Sequence, residues 1–139
     1  MVSQAKYIAE NTSRDGPWQC GCRAVFLALN PMWGVKFFHT AQERNENHEL
    51  QTEACKFGYA PPTGEYVNAT PGYNGMPMWG FLTMVAKVDG DITCVERHKF
   101  GLAMRKECGI HNRDLTSYNV GIFEGELVCV DFSACGQPL

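Results

Sequence analysis

The chain has 139 residues, enough for one domain with a buried core. Its apolar fraction of 45% and charged fraction of 19% are those of an ordinary soluble globular protein and exclude an intrinsically disordered chain. A net charge of −3 gives no argument for binding nucleic acid or an anionic membrane, and no apolar run reaches membrane-spanning length.

The cysteines predict the compartment. Seven is an odd number, which argues against a fully paired disulfide framework, so we expect a reducing, cytoplasmic environment. The first six residues lack the apolar segment of a signal peptide. A zinc site could be assembled on paper, but the spacings match no common structural zinc pattern. Its ligands would come from Cys20, Cys22, Cys94, His98, Cys108 and His111.

The N-terminal part of the chain predicts antiparallel strands. Residues 6–10 form a candidate first strand, and residues 12–21 are a loop by composition. Residues 23–29 are a continuous apolar run typical of a buried strand. The turn at Asn30-Pro31 then leads to a further strand over residues 33–38. We therefore expect a meander of neighbouring strands.

A helix is predicted over residues 41–57, which contain no glycine or proline and are rich in Glu, Gln and Leu. Thr40 is suited to cap it, and Glu43 completes a capping box. Gly58 ends it. The apolar stripe of this helix comprises Leu50, Ala54 and Phe57.

Two strands and a second helix are expected next. The strands cover residues 66–70 and 81–85, and the second continues through residues 86–90. Residues 92–108 then form one helix, for which Gly109 is a C-terminal stop.

The last third combines polar residues with a predicted β-hairpin. Asp114 and Asn119 lie five residues apart, so they can reach one phosphate site from the same side of a rigid loop. The hairpin has strands over 120–123 and 126–130 around a turn at Glu124-Gly125. It returns the chain so that the carboxylate of Asp131 lies beside Asn119. Such oxygen ligands suit Mg²⁺, whose other positions are filled by phosphate and water. The alternative is a surface hairpin with solvated acids.

The order N-R-D-L-x-x-x-N, followed twelve residues later by D-F-S, resembles the catalytic loop and metal motif of the protein kinase-like superfamily, which includes aminoglycoside phosphotransferases. This resemblance implies that Asp114 is the catalytic base and that Arg113 holds the loop. It also implies that Asn119 and Asp131 bind Mg²⁺.

The resemblance extends to the phosphate-binding residues of the N-lobe. It implies that Lys36 binds the phosphates of ATP and is held by a glutamate of the first helix. Glu49 is the first choice for that glutamate, with Glu53 and Glu46 as alternatives. Lys36 could equally be an exposed residue of an edge strand, and the glutamates could be solvated.

The segment F-L-T-M-V-A-K-V-D-G, residues 81–90, is similar to the fifth strand and hinge of a kinase. The resemblance implies that the backbones of Ala86 and Val88 bind the adenine edge of the nucleotide.

Several positions depart from the family pattern. The Gly-rich loop retains Gly16 and Gly21 but has no G-x-G-x-x-G. Asn112 stands where kinases carry His, and Ser133 replaces the Gly of D-F-G. Eight residues follow Asp131, without an activation segment or an A-P-E motif. The resemblance therefore implies a miniature kinase, truncated after the metal motif.

We expect a single α+β domain over residues 1–139 with a minimal protein kinase-like fold. An antiparallel sheet with one αC-type helix would form an N-lobe-like part, residues 1–88, and residues 89–139 a short C-lobe remnant. The first functional hypothesis is an ATP- and Mg²⁺-dependent phosphotransferase acting on protein or on itself. The second is an inactive kinase-like binding module or inhibitor. In both, a protein partner or a second copy would cover the truncated face. The third is an unrelated α+β protein, including a metal-thiolate one.

Overall fold

A computed structural model describes residues 19–20, 24–28, 30–68, 79–88, 91–112, 115, 119–132 and 135–136. These residues form two helices and ten strands, so the expected α+β class is confirmed. The elements are β1 (Gln19–Cys20), β2 (Ala24–Ala28), β3 (Trp33–Phe38), α1 (Ala41–Lys56), β4 (Thr63–Asn68), β5 (Trp79–Met84), β6 (Lys87–Val88), α2 (Cys94–Cys108), β7 (His111–Asn112), β8 (Val120–Phe123), β9 (Glu126–Cys129) and β10 (Cys135–Gly136). The candidate strand at residues 6–10 lies outside the described residues. Neither described helix is long and apolar enough to cross a membrane.

The chain divides into two compact units. The sheet unit comprises residues 1–48 and 63–85, and the hairpin unit comprises residues 49–62 and 86–139. Helix α1 contributes to both, because the division falls after His48. Residues 49–62, which lie inside the predicted N-lobe-like part, thus belong to the second unit.

The sheet unit contains one antiparallel sheet with the strand order β1-β2-β3-β5-β4. Strands β2 and β3 confirm the strands that were predicted over residues 23–29 and 33–38. The side-chain oxygen of Asn30 accepts from the backbone N–H groups of Met32 and Trp33, each at 2.8 Å, and closes the connection between them. Among the residues of this unit whose burial is described, the buried apolar side chains are Val35, Phe37, Phe38, Val67, Phe81 and Leu82.

Helix α1 begins at its predicted cap. The backbone N–H of Glu43 donates to the Thr40 hydroxyl oxygen at 3.1 Å, which satisfies one of the free N–H groups of the first turn. The Thr40 hydroxyl in turn donates to the Glu43 carboxylate at 3.1 Å. The helix ends at Lys56, and Gly58 adopts the left-handed backbone (φ 84°) that glycine tolerates best.

The predicted apolar stripe of α1 is only partly correct. Ala54 is fully buried and Leu50 packs against the core, but Phe57 is 48% exposed because the helix has already ended. The residues that α1 buries are instead mostly polar: Arg44, Asn47 and Gln51, followed by Ala54. Their spacing of three, four and three residues is that of one helix face.

The segment predicted as one strand from residue 81 to residue 90 is interrupted. Strand β5 ends at Met84, and the backbone N–H of Val85 donates to the Met32 carbonyl at 2.9 Å. The chain then enters β6, which pairs with β8 in a separate sheet of order β6-β8-β9. Two short pieces in different sheets therefore replace the single strand.

Helix α2 begins two residues later than predicted, at a capping box. Thr93 accepts from the Glu96 N–H and donates its own N–H to the Glu96 carboxylate, both at 3.1 Å. Gly109 ends the helix as predicted, with φ 71° and its N–H bonded to the Arg105 carbonyl at 2.9 Å. The core of the hairpin unit consists of Ala54, Ala60, Ile92, Phe100, Met104, Ile110, Val120, Cys129 and Phe132.

The predicted hairpin is confirmed as strands β8 and β9. Its turn residues Glu124 and Gly125 both have positive φ, 51° and 82°. Two consecutive positive φ values define the two-residue turn whose twist matches that of antiparallel strands.

Candidate functional site

The two predicted metal ligands both lie at the open end of the β8–β9 hairpin. Val120 pairs with Cys129, and the Val130 N–H extends the ladder by donating to the Asn119 carbonyl at 2.9 Å. Asn119 therefore lies opposite Val130, and Asp131 is the next residue along the returning strand. The backbone register thus separates Asn119 and Asp131 by one position along the paired strands, and their joint binding of a metal ion stays a prediction.

Both residues are held in a partly buried setting. Asn119 is 8% exposed and Asp131 is half-buried. The adjacent Phe132 is 1% exposed and belongs to the core of the hairpin unit. A buried aromatic next to the carboxylate fixes the backbone from which Asp131 projects.

Asn112 connects the beginning of the predicted catalytic loop to Asp131. Its side-chain amide donates to the Asp131 carbonyl at 3.3 Å and to the Cys129 sulfur at 3.2 Å. The Cys129 thiol also donates to the Asp131 carbonyl, at 3.3 Å. Asn112 is 6% exposed, so this contact is shielded from water. In the sequence, Asn112 was visible only as a departure from the kinase pattern, and its partner lies 19 residues further on.

Arg113 and Asp114, the predicted loop-holding residue and base, lie outside the described residues. The structure does describe an anchor for their loop at Leu115, whose carbonyl accepts from Arg97 Nε of α2 at 3.1 Å. The Leu115 side chain occupies the space that a side chain at Gly101 would need. Arg97 and Gly101 were not foreseen, because neither carries a recognisable motif.

Lys36 lies on β3 of the sheet unit, half-buried, with its ammonium nitrogen 5.8 Å from the centre of the Phe81 ring. Of the three candidate glutamates, Glu49 is exposed. The Glu46 carboxylate accepts from Gln42 at 3.1 Å, and Glu53 forms an exposed ion pair with Lys56 at 3.1 Å. The pairing of Lys36 with Glu49 stays a prediction.

The two residues predicted to bind adenine lie where the chain enters the hairpin unit. Ala86 is half-buried just before β6, and Val88 pairs with Gly121 of β8. Strand β6 forms one edge of its sheet. An edge strand can offer backbone groups to a ligand, and the adenine contact stays a prediction.

Within the part of the chain that the structure describes, no group of three His, Cys, Asp or Glu side chains is placed to hold a metal ion. The described cysteines and histidines therefore give no support to the metal-thiolate hypothesis. Burial raises the pKa of the Cys55 thiol. Burial, followed by the nearby carboxylates of Glu107 and Glu53, raises the pKa of the Cys108 thiol. Both shifts disfavour the thiolate, which is the reactive form of cysteine.

Comparison with known proteins gives a relation at the level of fold. No protein-family model matches the chain, and no curated protein matches it in sequence. The 2.2 Å crystal structure of WbdD is similar to it, with a TM-score of 0.50 and 18% sequence identity. The match covers 89% of this chain and 33% of the WbdD chain, so the protein spans about a third of the length of WbdD. At this identity, the similarity concerns the fold alone.

Proposed function

We propose that the protein is an ATP- and Mg²⁺-dependent phosphotransferase of a minimal kinase-like type, acting on protein or on itself. The main support is the hairpin that places Asn119 beside the residue preceding Asp131 through the 2.9 Å bond between Val130 and Asn119. The similarity to WbdD concerns the fold and is compatible with this proposal.

The residues at this end of the hairpin fit magnesium. Asn119 and Asp131 supply an amide oxygen and a carboxylate, which are hard ligands of the kind that Mg²⁺ selects. Mg²⁺ commonly keeps few protein ligands, because substrate phosphates and water complete its octahedron. Bound there, the ion would neutralise negative charge on the nucleotide phosphates.

The remaining roles belong to side chains of this chain and follow the resemblance to kinases. Asp114 would orient the attacking hydroxyl and accept its proton, while Arg113 would hold the loop. Lys36 would bind phosphate oxygens, and the backbones of Ala86 and Val88 would bind the base. Asn112 would keep the main chain of Asp131 in place through its 3.3 Å hydrogen bond.

Thermal unfolding with and without ATP and Mg²⁺ tests the proposal. A ligand that binds only the folded state stabilises it by roughly 2.7 kcal/mol at a hundred times its dissociation constant. We expect a magnesium-dependent rise in melting temperature that is lost in Asp131→Asn. The fold should survive this change, because Asn has nearly the size of Asp and the bonds from Asn112 and Cys129 to the Asp131 carbonyl are kept.

The matched control is Glu126→Gln, which removes an exposed carboxylate from the turn end of the same hairpin. Its response to ATP and Mg²⁺ should equal that of the parent. An equal response in Asp131→Asn would reject the metal site. Asp114→Asn should retain the thermal shift and lose phosphoryl transfer, and unchanged transfer would reject the assigned base.

A second candidate function, a kinase-like binding module without turnover, is favoured by exposed apolar side chains in the hairpin unit. Val95 and Leu102 of α2 are 63% and 53% exposed and lie seven residues apart, on one face of the helix. An open groove of about 590 Å³ is lined by Phe57, Tyr59 and Phe100 among other residues. Exposed apolar surface of this kind is typical of interaction sites.

Light scattering over a range of protein concentrations tests the self-association form of this alternative. Leu102→Gln should weaken association, whereas Lys106→Gln, at an exposed position of the same helix, should not. Equal association of both variants would exclude this face of α2 as the contact. Loss of all nucleotide response together with a Leu102-dependent assembly would favour the module over the enzyme.

A further inference from the structure

The sheet unit contains a buried guanidinium. Arg44, in the first turns of α1, is 8% exposed. Its Cζ atom lies 4.0 Å from the centre of the Tyr66 ring and 5.3 Å from that of Trp79. Tyr66 and Trp79 stand on the neighbouring strands β4 and β5. The cation is therefore stacked against aromatic side chains of the sheet.

Among the described residues, only neutral groups accept hydrogen bonds from this cation. Arg44 Nε donates to the Asn45 side-chain oxygen and Nη1 donates to that of Asn68, both at 3.1 Å. A guanidinium has five N–H donors, so three remain without an acceptor among the described residues. No described carboxylate lies within ion-pair distance of Arg44.

This combination is unusual for a buried charge. Moving an ion out of water is costly, and buried charges are normally paired with an opposite charge. Cation–π contacts offset part of that cost, but they leave the in-plane N–H donors without acceptors. The plane of a stacked guanidinium is well suited to an oxyanion, because its N–H groups form a fork that matches two oxygens.

The surroundings fix the guanidinium in advance of any ligand. His48, one helical turn after Arg44, contacts the Tyr66 ring at 4.9 Å and the Phe81 ring at 5.0 Å between centroids. Its Nε2 lies 3.1 Å from the Gly64 carbonyl. Asn68 pairs with Trp79 across strands β4 and β5. The residue whose amide accepts from Arg44 therefore lies directly opposite the second aromatic residue that contacts it.

A route for the ligand exists at the amide side of the cation. Both of its acceptors, Asn45 and Asn68, are exposed, and Tyr66 is 42% exposed. The two amide partners of the guanidinium therefore lie at the protein surface. An oxyanion can approach there and add to, or replace, the amide oxygens.

We infer that Arg44 is an oxyanion-binding residue that receives a carboxylate or a phosphate against Tyr66 and Trp79. None of its residues is a proposed ligand of Mg²⁺ or ATP, so the inference does not rest on the proposed function.

Nuclear magnetic resonance of arginine side chains tests the inference on the intact chain. The Nε–H signal of Arg44 is assigned by its absence in Arg44→Lys. Inorganic phosphate and sodium acetate are each titrated against sodium chloride of equal ionic strength. We expect a saturable shift of the Arg44 Nε–H and Trp79 indole N–H signals with at least one of the two oxyanions. Saturation with phosphate alone would identify a phosphate site, and saturation with acetate a site that accepts carboxylates.

Two variants separate binding from a structural role. Asn68→Asp places a carboxylate where the 3.1 Å amide contact lies, so it should occupy the cation, keep the fold and abolish the saturable response. Arg105→Lys, at an exposed position of α2, should respond as the parent does. If phosphate and acetate shift the Arg44 signal no more than chloride does, the guanidinium is only a structural cation and the inference is rejected. An unchanged response in Asn68→Asp would reject it as well.

Discussion

The two units hold their main polar groups by different means. In the hairpin unit, Asn119 and Asp131 are placed by a short turn and a ladder that joins residues close in sequence. In the sheet unit, Arg44 is placed by side chains that are more than twenty positions away, Tyr66, Asn68 and Trp79. Local turn chemistry therefore sets the first site, and tertiary packing sets the second.

The two sites should therefore respond differently to mutation. A hairpin with an intact turn can keep its register when its polar end changes, because the turn and the cross-strand pairs determine that register. The setting of Arg44 depends on a helix and two strands together. We therefore expect changes of the polar residues at the open end of the hairpin to alter function, and changes of the buried polar residues of α1 to alter stability.

The largest effect is expected where the hairpin meets its core. Phe132→Ala removes an aromatic side chain that is 1% exposed and leaves a cavity, at a cost of roughly 3–5 kcal/mol in the free energy of unfolding. Urea unfolding followed by far-ultraviolet circular dichroism measures this. Phe132→Leu, which keeps most of the volume, should recover much of the loss. A cost below 1 kcal/mol in the alanine variant would show that Phe132 does not anchor Asp131.

A smaller effect is expected under α1. Gln51 is fully buried, and its side-chain amide donates to the Pro61 carbonyl at 3.0 Å. Gln51→Leu keeps the approximate size but leaves that carbonyl without this donor, at a cost of about 1–3 kcal/mol. Gln42→Leu, at an exposed position of the same helix, serves as the control for chemical denaturation. Equal stability of the two variants would mean that the buried polar face of α1 is dispensable.

The N-terminal cap of α2 should contribute less to the free energy of unfolding. Thr93→Ala removes the oxygen that accepts from the Glu96 N–H, at a cost of about 1 kcal/mol.

Hydrogen bonds from Thr93 lower the pKa of the Glu96 carboxyl. The contribution of Glu96 to the stability of the fold is therefore present above the unfolded-state pKa and is lost as pH falls through the lower folded-state value. Acid titration of stability should therefore be flatter in Glu96→Gln. Identical acid profiles in Glu96→Gln and the parent would contradict the reciprocal cap.

The smallest effect is confined to alkaline solution. Burial, aided by the Glu107 carboxylate, raises the pKa of Tyr59 to about 12. A phenol with a raised folded-state pKa stabilises the fold below its unfolded-state pKa, and that contribution is lost as pH rises toward 12. Phenolate absorbance should show one tyrosine that titrates late, and this component should disappear in Tyr59→Phe. An unchanged titration in that variant would assign the late step to another residue.

The features that sequence reasoning found are those with local causes. The Glu124-Gly125 turn, the Thr40 cap and the Gly109 stop each depend on residues within a few positions. The Thr93 capping box has the same local signature, T-x-x-E, so it could have been found and would have corrected the start of α2.

The features that sequence reasoning missed depend on residues that are distant along the chain. An apolar stripe is the usual sign of a packed helix face, but α1 buries Arg44, Asn47 and Gln51 because each finds hydrogen-bond partners or aromatic rings. Nothing near Gln51 in sequence indicates its bond to Pro61. Likewise, the role of Asn112 follows from its contact with Asp131, which only the folded chain reveals.

The most direct test of the central claim replaces Mg²⁺ by paramagnetic Mn²⁺ in the presence of ATP and follows the backbone amide signals of the hairpin. The two ends of β8 are separated by roughly 10 Å, at about 3.3 Å per residue, which is enough for different paramagnetic broadening. We expect the strongest broadening at Asn119 and Asp131, weaker broadening at Glu124 and Gly125, and loss of the difference in Asp131→Asn. Equal broadening at both ends of the hairpin, or a pattern unchanged in Asp131→Asn, would contradict a metal site formed by Asn119 and Asp131.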